Sequence, residues 1–281
     1  MPLEPVTIIS SSRRLYGVLE TPHGAPRGAV VLVHGWDGCR VGPHRILVET
    51  ARHLSGLGFA ALRFDLSGRG ESEGEPLKTD LDTMIDDACA ALDALRERVG
   101  RAAPAAMLGV CSGGNAALAA AAFHEDVQAV AAWSSYPFQE QRPAAQDVKR
   151  TGHFAKAYLA KTLRPETWRK LARGRVNLPM VSKVLFGHFR KGEGTARELQ
   201  RSRRDVLGAL AGYKGRMFFL YGGKDPEAAD AEGTFRSFCA QHALTAEFAA
   251  IAGANHNFYS LSWKRQAMET TGRWLAGALG G

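Results

Sequence analysis

Short apolar runs alternate with longer amphipathic stretches along most of this chain. Ala29-Val30-Val31-Leu32-Val33 is continuous and apolar and ends at His34-Gly35. A run of that length with no polar alternation predicts a strand buried on both faces, as in a parallel sheet. Phe59–Phe64, Ala105–Val110, Val127–Trp133, Met217–Tyr221 and Ala246–Ile251 read as further strands. Helical spacing is read between them, over Pro43–Leu57, Lys78–Val99, Ser112–His124, Ala228–His242 and Trp263–Leu279. In Lys78–Val99, Leu81, Met84, Ile85, Cys89, Leu92 and Leu95 recur at helical spacing, with acids early and Arg96 and Arg98 late. That charge order suits the helix dipole. Strands alternating with helices predict an α/β fold, a mostly parallel sheet covered on both faces.

The alternation breaks between Pro137 and Gly215. This stretch is rich in Arg, Lys and Gly and has no strand period. Short helices are expected there, including Ala155–Thr162, Pro165–Ala172 and Thr195–Ala211. The expected organisation is therefore a core of residues 1–136 and 216–281, interrupted by an inserted helical cap at 137–215.

Length and composition narrow the class. The chain has 281 residues, 45% apolar and 23% charged, which is ordinary for a globular domain with a sizeable core. Its longest apolar stretches fall well short of the ~20 residues that cross a bilayer. Met1–Ser10 lacks the basic start and apolar core of a secretory signal. Four cysteines, Cys39, Cys89, Cys111 and Cys239, make no disulfide framework. A reduced, cytoplasmic setting is the expectation. The net charge of +8 is unevenly spread. Residues Glu140 to Arg216 carry 19 Lys and Arg against 6 Asp and Glu, a net of +13, which leaves the remainder at −5. Such a block either meets an anionic partner or forms a solvated face.

The chemistry lies at strand ends. Gly109-Val110-Cys111-Ser112-Gly113 joins a strand to a helix, with glycine two residues either side of Cys111. A nucleophile on a sharp strand-to-helix turn needs small neighbours at those two positions. Centring the turn on Ser112 would put branched Val110 at one of them, so the expected nucleophile is Cys111. The Ser112 N–H, at the helix start, would then face a developing oxyanion. Gly222-Gly223-Lys224-Asp225 follows a later strand and Ala252-Gly253-Ala254-Asn255-His256 the next. Nucleophile, acid and histidine in that order, each after a strand, form the chain order of an α/β-hydrolase triad. Asp225 is expected to orient His256; Asp230 falls inside the following helix. His34-Gly35-Trp36 follows the first of the apolar strands, and the Trp36 N–H is the expected second oxyanion donor. His44 and Arg45, just beyond, are candidates for a substrate carboxylate or phosphate, or simply a helix start. Phe64–Ser72 is a glycine-rich turn expected to be structural, with no P-loop in the chain. Cysteine and histidine spacing matches no metal site, and no cofactor is expected.

These features together resemble the α/β-hydrolase superfamily over nearly the full length. The cysteine elbow resembles those of dienelactone hydrolases and polyhydroxyalkanoate synthases. Arg40–Arg45, Leu62–Asp65, Gly68–Gly74, Gly109-Val110-Cys111 and the segment Tyr158–Leu171 resemble hydrolases associated with exosortase A systems. The chain departs from those relatives just after the cysteine, where Ser112-Gly113-Gly114 follow.

A cysteine elbow implies a thioester intermediate on Cys111, with His256 taking the thiol proton and Asp225 holding its tautomer. A thioester passes its acyl group to water, amines, thiols or alcohols, so hydrolysis and transfer are both open. The expected substrate is a small acyl compound. A +13 segment beside such a site suits a coenzyme A or acyl-carrier-protein thioester, and a small ester or lactone is the alternative. Nucleic acid is not expected, because the basic residues come with few aromatics and no recognition module. A non-catalytic binding protein on the same fold is the remaining reading.

Overall fold

The structure, a computed structural model, describes residues 2–138 and 201–280. The chain divides into two units, residues 1–137 with 201–281, and residues 138–200. The helices expected over Ala155–Thr162 and Pro165–Ala172, and most of the basic segment, lie outside the described residues.

The first unit is built on one eight-stranded sheet. Its strands are β1 (Leu3–Ser10), β2 (Arg13–Glu20), β3 (Gly28–Val33), β4 (Phe59–Phe64), β5 (Ala105–Val110), β6 (Val127–Trp133), β7 (Arg216–Gly222) and β8 (Ala246–Ile251). The spatial order is β1-β2-β4-β3-β5-β6-β7-β8. From β4 to β8 every pairing is parallel, and β1 and β2 are antiparallel additions at one edge. β3 to β6 are almost wholly buried, as their predominantly apolar sequences require. The β1–β2 hairpin is absent from the sequence expectation. Its signal is a period of two, with Val6, Ile8 and Ser10 inward and the alternate residues exposed. A run diluted by polar residues is harder to recognise than the continuous strands.

The helices are α1 (Ile46–Gly56), α2 (Leu81–Val99), α3 (Ser112–Phe123), α4 (Val206–Ala211), α5 (Ala228–Gln241) and α6 (Leu261–Ala278). α1 packs with α6, and α2 with α3. Val30 and Leu32 of β3 join Ile46, Leu54, Trp274 and Leu275 in one core cluster, and their sequence neighbours face the other side. Trp133 Nε1 donates to Thr271 Oγ1 at 2.8 Å, which ties the middle of the sheet to α6.

Three helix expectations are corrected at their starts. Pro43–Arg45 is a separate 3-10 turn before α1, because His44 and Arg45 take left-handed φ of 51° and 62°. α2 begins at Leu81, where the Asp80 side chain accepts from Thr83 N at 2.9 Å. Within the described part of Thr195–Ala211, only Val206–Ala211 is helical. Arg203 N and Nε both bond Asp82 of α2, and Ser202 Oγ donates to the same carboxylate. Asp205 then caps α4 through Gly208 N.

β3 and β5 are neighbours, while the chain leaves β3 toward β4 on its other side. Such a reversal of strand order opens a crevice at the carboxyl ends of the strands. Here α3 enters so closely that a Cβ on Gly113 would collide with the Val33 and His34 carbonyls. Gly113→Ala should therefore destabilise the fold by roughly 2 kcal/mol or more, read as a lower urea midpoint at unchanged slope. Gly56→Ala, where a Cβ meets nothing within 4 Å, should leave the midpoint in place or raise it.

Candidate active site

Cys111 occupies the turn between β5 and α3 with φ 59° and ψ −130°. A non-glycine residue there carries strain of about 1–3 kcal/mol. The surroundings hold it in place. Cys111 N donates to the Trp133 carbonyl at 2.8 Å, and Gly114 N donates to the Cys111 carbonyl at 2.9 Å. Gly109 and Gly114 leave room where side chains would strike the Gly113 backbone and Ser135 Oγ. Glycine flanks the turn on both sides of Cys111, and α3 begins at Ser112.

Two loops bring the acid and the histidine together. Asp225 follows β7, and its backbone N–H closes a turn on the Gly222 carbonyl. The loop after β8 crosses directly over Gly222, where a Cβ would strike the Asn255 backbone. Gly223 N to Ile251 O at 2.9 Å and Lys224 N to Ala254 O at 2.7 Å join the two loops. His256 Nδ1 then lies 2.7 Å from Asp225 Oδ2, while Asp225 Oδ1 accepts from Glu227 N. Asp230 is exposed, in the first turn of α5. The Ser134 hydroxyl donates to the His256 carbonyl at 2.8 Å. Burial pulls the His256 pKa down, but the bond to Asp225 and the influence of Cys111 outweigh it and raise it to about 10.

Trp36 lies beside the elbow. Its backbone N–H donates to Ser112 Oγ at 2.8 Å. Its indole Nε1 donates to the Thr79 carbonyl at 2.6 Å. The Arg69 guanidinium stacks 4.1 Å from the Trp36 ring and bonds the Trp36 carbonyl. The glycine-rich turn after β4 thus braces this loop. The buried Asp65 carboxylate holds the same turn by accepting from the Arg40 backbone, the Arg40 guanidinium and Glu71 N. His34 is buried, and Leu66 N donates to its Nε2 at 3.0 Å. The ring proton is therefore on Nδ1, which donates to the Gly35 carbonyl at 2.7 Å. Burial lowers the His34 pKa to about 4, against weaker opposing effects of the Gly35 carbonyl and nearby carboxylates.

His44 and Arg45 are exposed on the turn before α1. The His44 ring meets Tyr259 edge-on at 4.7 Å, and its carbonyl accepts from Lys264 Nζ at 3.2 Å. Tyr136, Arg69 and Ser134 are site neighbours that sequence reasoning missed. Tyr136 and Ser134 follow β6 with no motif to mark them. Arg69 sits in a turn that was recognised, but its stacking partner is 33 positions away in sequence. Among the described residues, no group of three or more His, Cys, Asp or Glu side chains could hold a metal ion, and no helix is long and apolar enough to cross a membrane.

This architecture is an α/β-hydrolase fold. The chain belongs to the Hydrolase_4 family, described as serine aminopeptidase, S33, which it matches over residues 24–260. No curated protein matches its sequence. Solved structures share the fold at low identity. A dienelactone hydrolase from Anabaena variabilis is 18% identical with a TM-score of 0.66, covering 99% of this chain and 98% of its own. An esterase from Pyrococcus furiosus is 18% identical with a TM-score of 0.68, covering 99% and 91%. Est1E from Butyrivibrio proteoclasticus, solved with ferulic acid bound, is 15% identical with a TM-score of 0.65, covering 98% and 100%.

The neutral, buried His34 makes stability depend on pH. Its pKa is near 6.5 when unfolded and about 4 when folded, so the unfolded chain binds the proton more readily. The stabilisation is complete above pH 6.5 and is lost as pH falls through 4, by on the order of 3 kcal/mol. Urea unfolding of the wild type and His34→Gln between pH 4 and 7 should show that part of the slope only in the wild type.

Proposed function

We propose that this hydrolase cleaves esters or thioesters through Cys111, with His256 moving the proton and Asp225 holding the imidazole. The observation that carries the reading is Cys111 on its strained turn, near enough to act on an imidazole whose Nδ1 is 2.7 Å from a buried carboxylate. Cys111 attacks the carbonyl carbon as the thiolate, its proton held on His256 as the imidazolium. The Ser112 and Trp36 N–H groups stabilise the oxyanion, and Trp36 must first exchange its bond to Ser112 Oγ. The intermediate collapses by expelling the alcohol or thiol, which leaves with the proton from His256. Water, deprotonated in turn by His256, then hydrolyses the acyl-cysteine. Another acceptor in place of water would make the same steps an acyl transfer.

The test is turnover on a panel of p-nitrophenyl esters, lactones and acyl-coenzyme A thioesters. Lactones and aromatic esters belong there because similar folds include a dienelactone hydrolase and Est1E, solved with ferulic acid bound. Cys111→Ala should lose on the order of 10³-fold or more in kcat, and Cys111→Ser should retain weak activity. Ser112→Ala should keep most turnover, because its backbone N–H remains. Full activity in Cys111→Ala would end the proposal.

The substrate class follows from charge. The +13 balance between Glu140 and Arg216 supports an anionic thioester donor such as coenzyme A or a carrier protein. Reversing Arg169 and Arg173 should lower kcat/KM for a coenzyme A thioester and leave a neutral ester unchanged. The difference should shrink as salt rises above about 0.1 M. Equal small changes for both substrates at every salt concentration would leave a neutral ester or lactone as the substrate.

A further inference from the structure

Tyr136 lies three residues beyond the end of β6. Its ring is parallel to the His256 imidazole, with an interplanar angle of 6° and centroids 5.2 Å apart. Its hydroxyl oxygen is 3.1 Å from Nδ1 and 3.2 Å from Nε2. An oxygen nearly equidistant from both nitrogens, on a ring parallel to the imidazole, must lie over the imidazole face. In the imidazole plane, at that distance, it would collide with Cε1. The contact therefore uses neither nitrogen's in-plane direction, and Nδ1 keeps its bond to Asp225. The brace is itself anchored to the elbow helix, because Asn115 Nδ2 of α3 donates to the Tyr136 carbonyl at 2.7 Å.

We propose that Tyr136 is a positioning residue for His256, bracing the imidazole from its face and supplying electron density to the imidazolium. An aromatic ring and a lone-pair oxygen over a cation both favour the charged form. Among the described residues, the titratable groups facing His256 are Asp225 after β7, Cys111 at the elbow and Tyr136 after β6. Asp225 acts on the ring edge and Tyr136 on the face, so removing Tyr136 leaves the bond to Asp225 in place. The inference rests on His256 as the proton carrier of the proposed reaction.

Tyr136→Phe keeps the ring and removes the oxygen, while Tyr136→Ala removes both. The His256 titration is followed by NMR of histidine-labelled protein, beside the pH profile of kcat/KM on the best ester of the panel. The midpoint should fall by about half a pH unit in Tyr136→Phe and by about one in Tyr136→Ala. The limb of the profile that reports His256 should move with it. In Tyr136→Ala, kcat should drop roughly tenfold with KM nearly unchanged. A midpoint and limb that stay in place while only thermal stability falls would overturn the inference, since a purely structural contact behaves that way. If Tyr136→Ala does not fold, Tyr136→Phe decides. A wild type that is inactive on the whole panel counts against the proposed function alone, because the NMR titration still reads the contact.

Discussion

The arrangement at the carboxyl edge of the sheet depends on one steric constraint. The N-terminus of α3 approaches the ends of β3 and β5 so closely that Gly109, Gly113 and Gly114 have no room for a Cβ. That approach bends the chain at Cys111 into a left-handed φ. It also brings Ser112 against the loop after β3, where its hydroxyl accepts the Trp36 N–H. A wider approach would relax the strain at Cys111 and separate Ser112 from the Trp36 N–H. The conformational strain of the turn is therefore maintained by packing around it, the usual situation for strained backbone at a functional position.

Two histidines within this edge are driven in opposite directions by their surroundings. His34 is buried among backbone groups, one donating and one accepting. A neutral imidazole satisfies both, and burial removes the alternative. His256 has a carboxylate on one nitrogen, and Asp225 and Cys111 together favour its charged form despite burial. The first behaves as a fixed strut for the Gly35–Trp36 loop. The second behaves as a group that holds a proton, which is what the proposed acyl chemistry asks of it.

The supports of these groups are charged or aromatic but serve geometry. Asp65 gathers the Arg40 loop and the Arg69 turn around one buried carboxylate. Arg69 then clamps Trp36 from the ring face and the carbonyl. Tyr136 stands in a similar relation to His256, with a flat ring against a flat ring. Each ring is held from its face, which leaves its polar edge for other partners. The Trp36 indole uses that edge on Thr79 and the His256 imidazole on Asp225.

The layout of strands β3 to β8, most of the helices, and the candidates Cys111, Asp225 and His256 were legible in the amino-acid order. Buried parallel strands demand near-continuous apolar runs, and a sharp turn demands glycines at fixed offsets, so both constraints are local and leave a local trace. The β1–β2 hairpin, half-exposed and mixed in polarity, left a weaker one. Tyr136, Arg69 and Ser134 left none, because what they do is defined by partners 120, 33 and 122 positions away. The helix start at Pro43 was misplaced for a related reason. The left-handed His44 and Arg45 sit where the Lys264 ammonium holds the His44 carbonyl across 220 positions. Contacts of that range are fixed only when the sheet closes and its loops meet, so the tertiary structure alone decided them.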